Sequence, residues 1–261
     1  MRGRRRLDEK KRWRLAPLAI LFTLLAIGEG ASRSGLIPAL FFPAPTTVLA
    51  TILRLVESGE MGTHIGATLG RVLAGVLLGG VPGVLFGWIM GWSRPLRRLL
   101  DPFVAAAHPI PKISIFPLVL IIFGIGAFSK VLVVAIAVFF PLLINTMTGV
   151  RQIHPIYFEV ANNYGAGRRK TFFRVVVPGS LPLVMAGLRI ALNVALTLTI
   201  AVELITAQEG LGAMIWLSWQ TLRTENLYAG IVMTALLGIG FRYLVHYMTV
   251  RFVPWQTEAS H

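Results

Sequence analysis

The chain has 261 residues, of which 55% are hydrophobic and 14% charged, and its mean hydropathy is +0.72. Soluble domains carry about 25% charged residues, so one water-facing core cannot hide this much apolar surface, and lipid must solvate much of it. The net charge of +14 would suit nucleic acid, but the charges sit in short clusters between long apolar runs; the absence of cysteine excludes disulfides, thiol catalysis and thiolate metal sites.

A helix needs about 20 mostly apolar residues to cross a bilayer. The chain opens on a basic stretch, residues 1–14, with Arg2, Arg4, Arg5, Arg6, Lys10, Lys11, Arg12 and Arg14. No small-x-small cleavage site follows, so this stretch is expected to be the inner flank of a first span, 15–27, rather than part of a cleaved signal peptide. The next segment, 29–64, is too long for a bare turn. Within it, Pro43-Ala44-Pro45-Thr46-Thr47 predicts a helix start with Thr46 or Thr47 as cap, and 48–56 an amphipathic helix along the outer face.

The second span is 65–92. In it Gly75, Gly79, Gly83, Gly87 and Gly91 recur every four residues and share one ridge, which lets another backbone approach closely. This predicts a tightly packed face, against the same chain or another. A short basic segment, 93–101, precedes a third span at 103–123 that prolines interrupt. Further spans follow at 131–147, 183–206 and 229–249, making six in all. The last outer segment, 209–228, carries Trp216, Trp219 and Tyr228, which are expected to anchor at the membrane interface rather than meet a partner.

Orientation follows from lysine and arginine. With the N-terminus inside, the inner segments hold Arg94, Arg97, Arg98, Arg151, Arg168, Arg169, Lys170, Arg174 and Arg251. The outer ones hold only Arg33, Arg54, Lys130 and Arg223. Both termini are therefore expected in the cytoplasm. The layout predicts a basic N-terminus at 1–14, a membrane domain at 15–250 and a cytoplasmic tail at 251–261.

The inner segment 148–182 is the most informative. A first short helix is expected from Tyr157 to Tyr164, and Gly165 and Gly167 permit the positive φ of a helix end and sharp turn. A second is expected from Lys170 to Val177, ended by Pro178, which cannot donate and clashes with the preceding turn. The result is a helix–turn–helix whose Tyr164, Phe172 and Phe173 form an apolar knob. Ordered loops of this length with exposed aromatics are usually functional.

The run Glu-x-Ala-x3-Gly-Ala-x5-Phe-x4-Val-Pro-x3-Pro resembles the EAA coupling motif of ABC importer permeases. Glu159, Ala161, Gly165, Ala166, Phe172, Val177, Pro178 and Pro182 match it, and Val160 replaces the first alanine of the motif's name. The resemblance implies an all-α membrane protein with six transmembrane helices of the MetI-like, type I importer fold. It also implies that the coupling loop, 151–182, seats itself in a groove of an ATPase, with Glu159, Ala161, Tyr164, Gly165, Ala166, Phe172, Pro178 and Pro182 as the coupling residues.

Further stretches are similar to the nitrate, sulfonate, taurine and bicarbonate group of such permeases. These are Pro109-Ile110-Pro111-Lys112-Ile113-Ser114-Ile115-Phe116-Pro117-Leu118, Phe123-Gly124-Ile125-Gly126, Gly70-Arg71-Val72-Leu73-Ala74-Gly75 and, after Glu203, Gly210-Leu211-Gly212. His108 and Ser114 depart from the usual residues of that group. A small anion as cargo rests on this resemblance alone, since positive-inside topology already accounts for the basic balance.

Ionisable residues within spans are costly and are functional candidates by default. Arg71 and Glu203 both fall near the outer ends of their spans, where they either pair to brace an outer gate or snorkel separately. Lys112 and Arg189 lie nearer the inner side, within reach of headgroups, and Lys112 is also a candidate for attracting an anionic substrate. No Gly-x4-Gly-Lys-Ser/Thr loop is present for ATP, and His64, His108, His154, His246 and His261 are scattered singly.

The expected protein is thus a non-catalytic permease subunit in a bacterial inner membrane, binding no cofactor, nucleic acid or metal itself. Its implied partners are membrane lipid, a second and identical permease chain, two ATPase subunits that carry ATP and magnesium, and an extracytoplasmic solute-binding protein. The rivals are the same transporter class importing a vitamin precursor or other small solute, and an ATPase-independent secondary transporter. The latter would show inverted repeats with broken helices.

Overall fold

The computed structural model describes residues 2–255 and, among these, contains helices and no strand. The end of the expected tail, with His261, lies outside the described residues, and so do the side chains of the basic stretch 1–14. Two compact units emerge, residues 1–62 with 214–232, and residues 63–213 with 233–261.

The first unit contains α1 (Arg2–Arg33) and α2 (Pro45–Glu57). It also holds most of α10 (Leu211–Gln220) and the first turns of α11 (Thr224–Phe252). Residues 15–27 were expected as a first span, but α1 is not among the described helices long and apolar enough to cross a membrane. Those number four, or five with one bent pair, against the six expected. Val48, Thr51 and Leu55 are the buried stripe of α2, at helical spacing, while Leu49, Leu53 and Val56 on its other side are exposed. The expected threonine cap is not used. Pro45 starts the helix, Ala44 occupies the cap position, and the Glu29 carboxylate of α1 accepts from the Thr46 backbone N–H at 3.0 Å and its hydroxyl at 2.7 Å. A carboxylate from a neighbouring helix thus does the work of a cap on the exposed first-turn donors. Ser32 Oγ donating to the Phe42 carbonyl and Tyr228 Oη to that of Phe41 hold the connecting loop.

The second unit is built on α3 (Glu60–Trp92), α6 (Ala127–Arg151), α9 (Val177–Thr206) and the rest of α11. α6 and α9 run antiparallel: Gly149 faces Ser180 and Leu183, whereas Gly187 faces Asn145 and Pro141. Val72, Val138, Leu142, Leu192, Leu196, Phe241 and Val245 fill the core between the four helices.

The five-glycine ridge of α3 packs against α6 of the same chain. A Cβ on Gly79 would collide with the Ala135 carbonyl; on Gly83 and Gly87 it would lie 2.7 Å from the carbonyl oxygens of Phe139 and Leu143. Gly75 and Gly91 meet Val134 and Val150 in the same way. The two backbones therefore touch along five successive turns, with van der Waals packing in place of hydrophobic collapse.

Among the described residues, α3, α6, α11 and the continuous helical run Arg168–Thr206 are long and apolar enough to cross a membrane. The segment expected as a single span at 103–123 is instead a bent pair. α4 (Arg94–Ala107) and the run Lys112–Phe123, a 3₁₀ turn followed by α5 (Phe116–Phe123), meet at 85°. Pro109 and Pro111 explain the break, because neither has an N–H to extend the helical ladder; His108 itself still holds helical geometry at φ −61°, ψ −45°.

Candidate functional site

The segment expected on the inner side begins with α7 (Pro155–Asn163), whose first turn is capped by His154 Nδ1 accepting from the Ile156 N–H at 3.3 Å. The helix closes in a Schellman turn: Gly165 adopts φ +68°, its N–H bonds the Asn162 carbonyl, and the Ala166 N–H bonds the Ala161 carbonyl, both at 2.9 Å. The conformation of Gly165 is left-handed, which explains why glycine stands there. Glu159 on α7 and Tyr164 at the turn are both exposed, Tyr164 at 85%.

After α8 (Arg168–Thr171) the chain departs from expectation. Pro178 does not end a helix. Residues Phe172–Val176 form a π turn that runs directly into α9, and the Val177 N–H reaches back five residues to the Phe172 carbonyl. Widening the turn makes room for the proline ring and absorbs its missing donor. Pro182 also lies inside α9.

Phe172 is not part of an exposed knob. Its ring stacks on Trp92 at 5.1 Å and 20°, and meets Trp88 edge-on at 5.9 Å. Trp88 in turn donates to Ser180 Oγ at 2.9 Å. Of the three expected knob residues Tyr164 and Phe173 project outward, while Phe172 fastens the loop to the end of α3.

At the other end of this unit, Arg71 and Glu203 meet. Arg71 Nη1 donates to Glu203 Oε1 at 2.6 Å and to the Glu209 carbonyl at 2.8 Å, and Nη2 donates to Glu209 Oε1 at 2.6 Å. Glu203 is wholly buried, and it accepts further bonds from Thr68 Oγ1 at 2.9 Å and from the Gly212 N–H at 3.0 Å. Leu211 N–H donates to Thr68 Oγ1, and Gly210 N–H to His64 Nδ1. Lys130, also buried, donates to Gln208 Oε1 at 3.1 Å. Arg71 and two carboxylates thus share one knot, in which the Arg71–Glu203 pair fits the rule that buried charge is tolerated when paired and hydrogen-bonded.

The glycines after Glu203 now have a physical reason. Gly210 has φ +109°, and a Cβ there would run into the Glu203 carboxylate; one on Gly212 would run into the Ile200 carbonyl. His64, Thr68, Lys130, Gln208 and Glu209 were not expected in this cluster. The signal for two of them was available: His64, Thr68 and Arg71 are spaced to share one helix face.

Lys112 is placed at the break between α4 and α5. Its ammonium donates to the carbonyls of Ala107, His108 and Ile110 at 2.7, 2.9 and 2.7 Å and sits 4.6 Å from the Phe140 ring centroid. An ammonium has three N–H donors, and all three are engaged by the carbonyls that the proline break strands.

Residues 83–257 match the family of inner membrane components of binding-protein-dependent transport systems. The taurine transport system permease protein TauC of Escherichia coli is 32% identical, over 96% of this chain and 95% of that protein. The putative aliphatic sulfonates transport permease protein SsuC of the same organism is 35% identical, over 87% and 88%. The riboflavin transport system permease protein RibX of Chloroflexus aurantiacus is 33% identical, over 93% and 90%. Among solved structures, the inward-facing MetNI methionine ABC transporter shares the fold at a TM-score of 0.58 and 20% identity, covering 75% of this chain and 95% of that one.

The chain is a multi-pass helical membrane protein and belongs to the family of binding-protein-dependent transport system inner membrane components. It is the non-catalytic permease subunit of an ABC importer, whose ATPase is a separate subunit and whose system includes a substrate-binding protein.

Proposed function

We propose that this permease forms, with a second identical chain, the path for a small anion of the taurine or alkanesulfonate type, with nitrate and bicarbonate in the same class. Residues 159–182 seat themselves in a groove on each of two ATPase subunits, which bind ATP and magnesium. The observation that carries this reading is the loop's construction: the turn closed at Gly165 presents Tyr164 and Phe173 outward, while Phe172 stacks on Trp92. A push on the loop is thereby transmitted to α3, and the glycine contacts pass it to α6. Positive-inside bias supports a cytoplasmic loop and cytoplasmic termini.

The knot around Arg71 and Glu203 braces the outer end of the path, where the binding protein delivers its cargo. The sulfonate reading rests on the similarity to TauC and SsuC. A vitamin-type solute is the second reading, favoured by the similarity to RibX.

Reconstitution of the permease with its ATPase and binding protein in proteoliposomes tests both. Uptake of labelled taurine or an alkanesulfonate, with riboflavin and nitrate compared in parallel, supports the first reading. Uptake of riboflavin alone supports the second.

A further inference from the structure

Between the end of α3 and the start of α8 lies a cavity of about 660 Å³, lined by Ile89, Trp92, Arg94, Pro95, Arg168 and Phe172. Its floor is the Trp92–Phe172 stack. The guanidinium groups of Arg94 and Arg168 come from different elements, both residues are exposed, and neither has an ion-pair partner among the described residues. No carboxylate lines the cavity. Two unpaired cations beside an aromatic floor call for an anion that carries apolar bulk.

α4 supplies the context. Arg94, Arg97, Arg98 and Asp101 lie on one face, and Leu96, Leu99, Leu100 and Phe103 on the opposite one, each set at spacings of three and four. None of its residues is buried, and Leu99 and Phe103 are 63% and 68% exposed. Leu100 packs against the cluster of Met90, Leu143 and Met147, which leaves Leu99 and Phe103 as the outward apolar residues; an outward apolar edge opposite a basic face suits a membrane interface. The cavity opens at the first turn of this helix.

We infer that the Arg94–Arg168 cavity is a binding site for an anionic phospholipid of the inner leaflet, its phosphate held between the two guanidiniums and its acyl chain against Ile89 and Trp92. Basic pockets between membrane helices on the cytoplasmic side suit such headgroups, and guanidinium matches phosphate with two parallel N–H donors. The inference rests on the proposed orientation, with this end of α3 at the cytoplasm. Its consequence is that the lipid wedges against Phe172 and tunes the coupling contact with Trp92.

The test uses the permease–ATPase complex in nanodiscs of phosphatidylcholine with phosphatidylglycerol, and native mass spectrometry of the lipids that stay bound after extraction. Wild type is expected to retain phosphatidylglycerol selectively. The Arg94→Gln/Arg168→Gln variant should lose that selectivity by about tenfold or more, the order set by two surface cations. Arg94→Lys/Arg168→Lys keeps the charge without the bidentate geometry and should fall between the wild type and the glutamine variant, which separates a lost site from a lost fold.

Unchanged retention in the glutamine variant overturns the site. An equal loss in Arg98→Gln, on the same helix but outside the cavity, overturns it too, because the attraction would then be a general surface effect. Displacement of the lipid by millimolar inorganic phosphate would assign the site to a free anion instead. Loss of ATPase from the glutamine variant with lipid retained would assign the cavity to the ATPase interface. Failure of the wild-type permease to assemble with any ATPase would contradict the reading of the loop, and lipid retention by the permease alone is scored separately.

Discussion

Arg71 and Glu203, one near the start of α3 and the other near the end of α9, are joined at 2.6 Å with side-chain exposures of 5% and 0%. The pair is the centre of a knot that also fixes the backbone of residues 209–212. Removing one member of a buried pair leaves the other charge uncompensated and costs about 3–5 kcal/mol. Arg71→Ala is therefore expected to lower the melting temperature in detergent sharply. Glu209→Ala, at a residue whose side chain is 57% exposed, should cost about 1 kcal/mol or less. Equal effects from the two would show that Arg71 is not the hub.

The loop after α9 should reject side chains. Gly212→Ala places a methyl against the Ile200 carbonyl, a backbone group that cannot move aside, and is expected to cost about 1–3 kcal/mol. Gly210→Ala adds backbone strain at φ +109° to a collision with Glu203. Thermal unfolding of both variants, with Gly126→Ala as a control in open space, measures this.

The α3–α6 contact makes a positional prediction along one helix. Gly79→Ala pushes a methyl into the Ala135 backbone and should cost at least about 1–3 kcal/mol, with loss of assembled permease. Gly70→Ala, on the same helix with nothing within 4 Å, should be neutral or slightly stabilising. Comparable yields and melting curves would contradict the close approach.

Glu29 gives a pH dependence with a definite sign. The Thr46 hydroxyl and backbone N–H, and then Arg33, hold its carboxyl down at about 2, below its ordinary 4.5. Because the folded value is the lower one, the stabilisation is fully present above 4.5 and is lost as pH falls from there through about 2. Glu29→Gln should flatten the fall in melting temperature over that range. An identical slope in variant and wild type would show that the carboxylate does not latch α2.

Phe172→Ala deletes the stack on Trp92 while leaving the exposed Tyr164 and Phe173 in place. The expected outcome is a complex that still assembles and hydrolyses ATP but transports less substrate per ATP. Loss of assembly would instead place Phe172 in the ATPase contact.

The apolar runs were long enough to reveal the helical membrane class, and the five glycines at four-residue spacing in 65–92 revealed a close-packed ridge. The turn at Gly165 was legible because glycine spacing encodes positive φ. Three features were not. The 85° break before Lys112 follows from prolines that were visible, but its angle depends on the carbonyls that Lys112 gathers. The π turn at Phe172–Val176 replaced an expected helix end because tertiary packing on Trp88 and Trp92 outweighs the local cost of Pro178. The partners of Glu203 lie far from it in sequence, so only the shared helix face of His64, Thr68 and Arg71 hinted at them.

The coupling role of the inner loop is tested most directly by ATP-driven taurine uptake into proteoliposomes that hold permease, ATPase and binding protein, for wild type and Gly165→Pro. The account predicts uptake strictly dependent on ATPase and ATP in wild type, and its loss in Gly165→Pro while the permease remains inserted and folded. Uptake by the permease alone on an ion gradient, or undiminished ATP-driven uptake in Gly165→Pro, would contradict it.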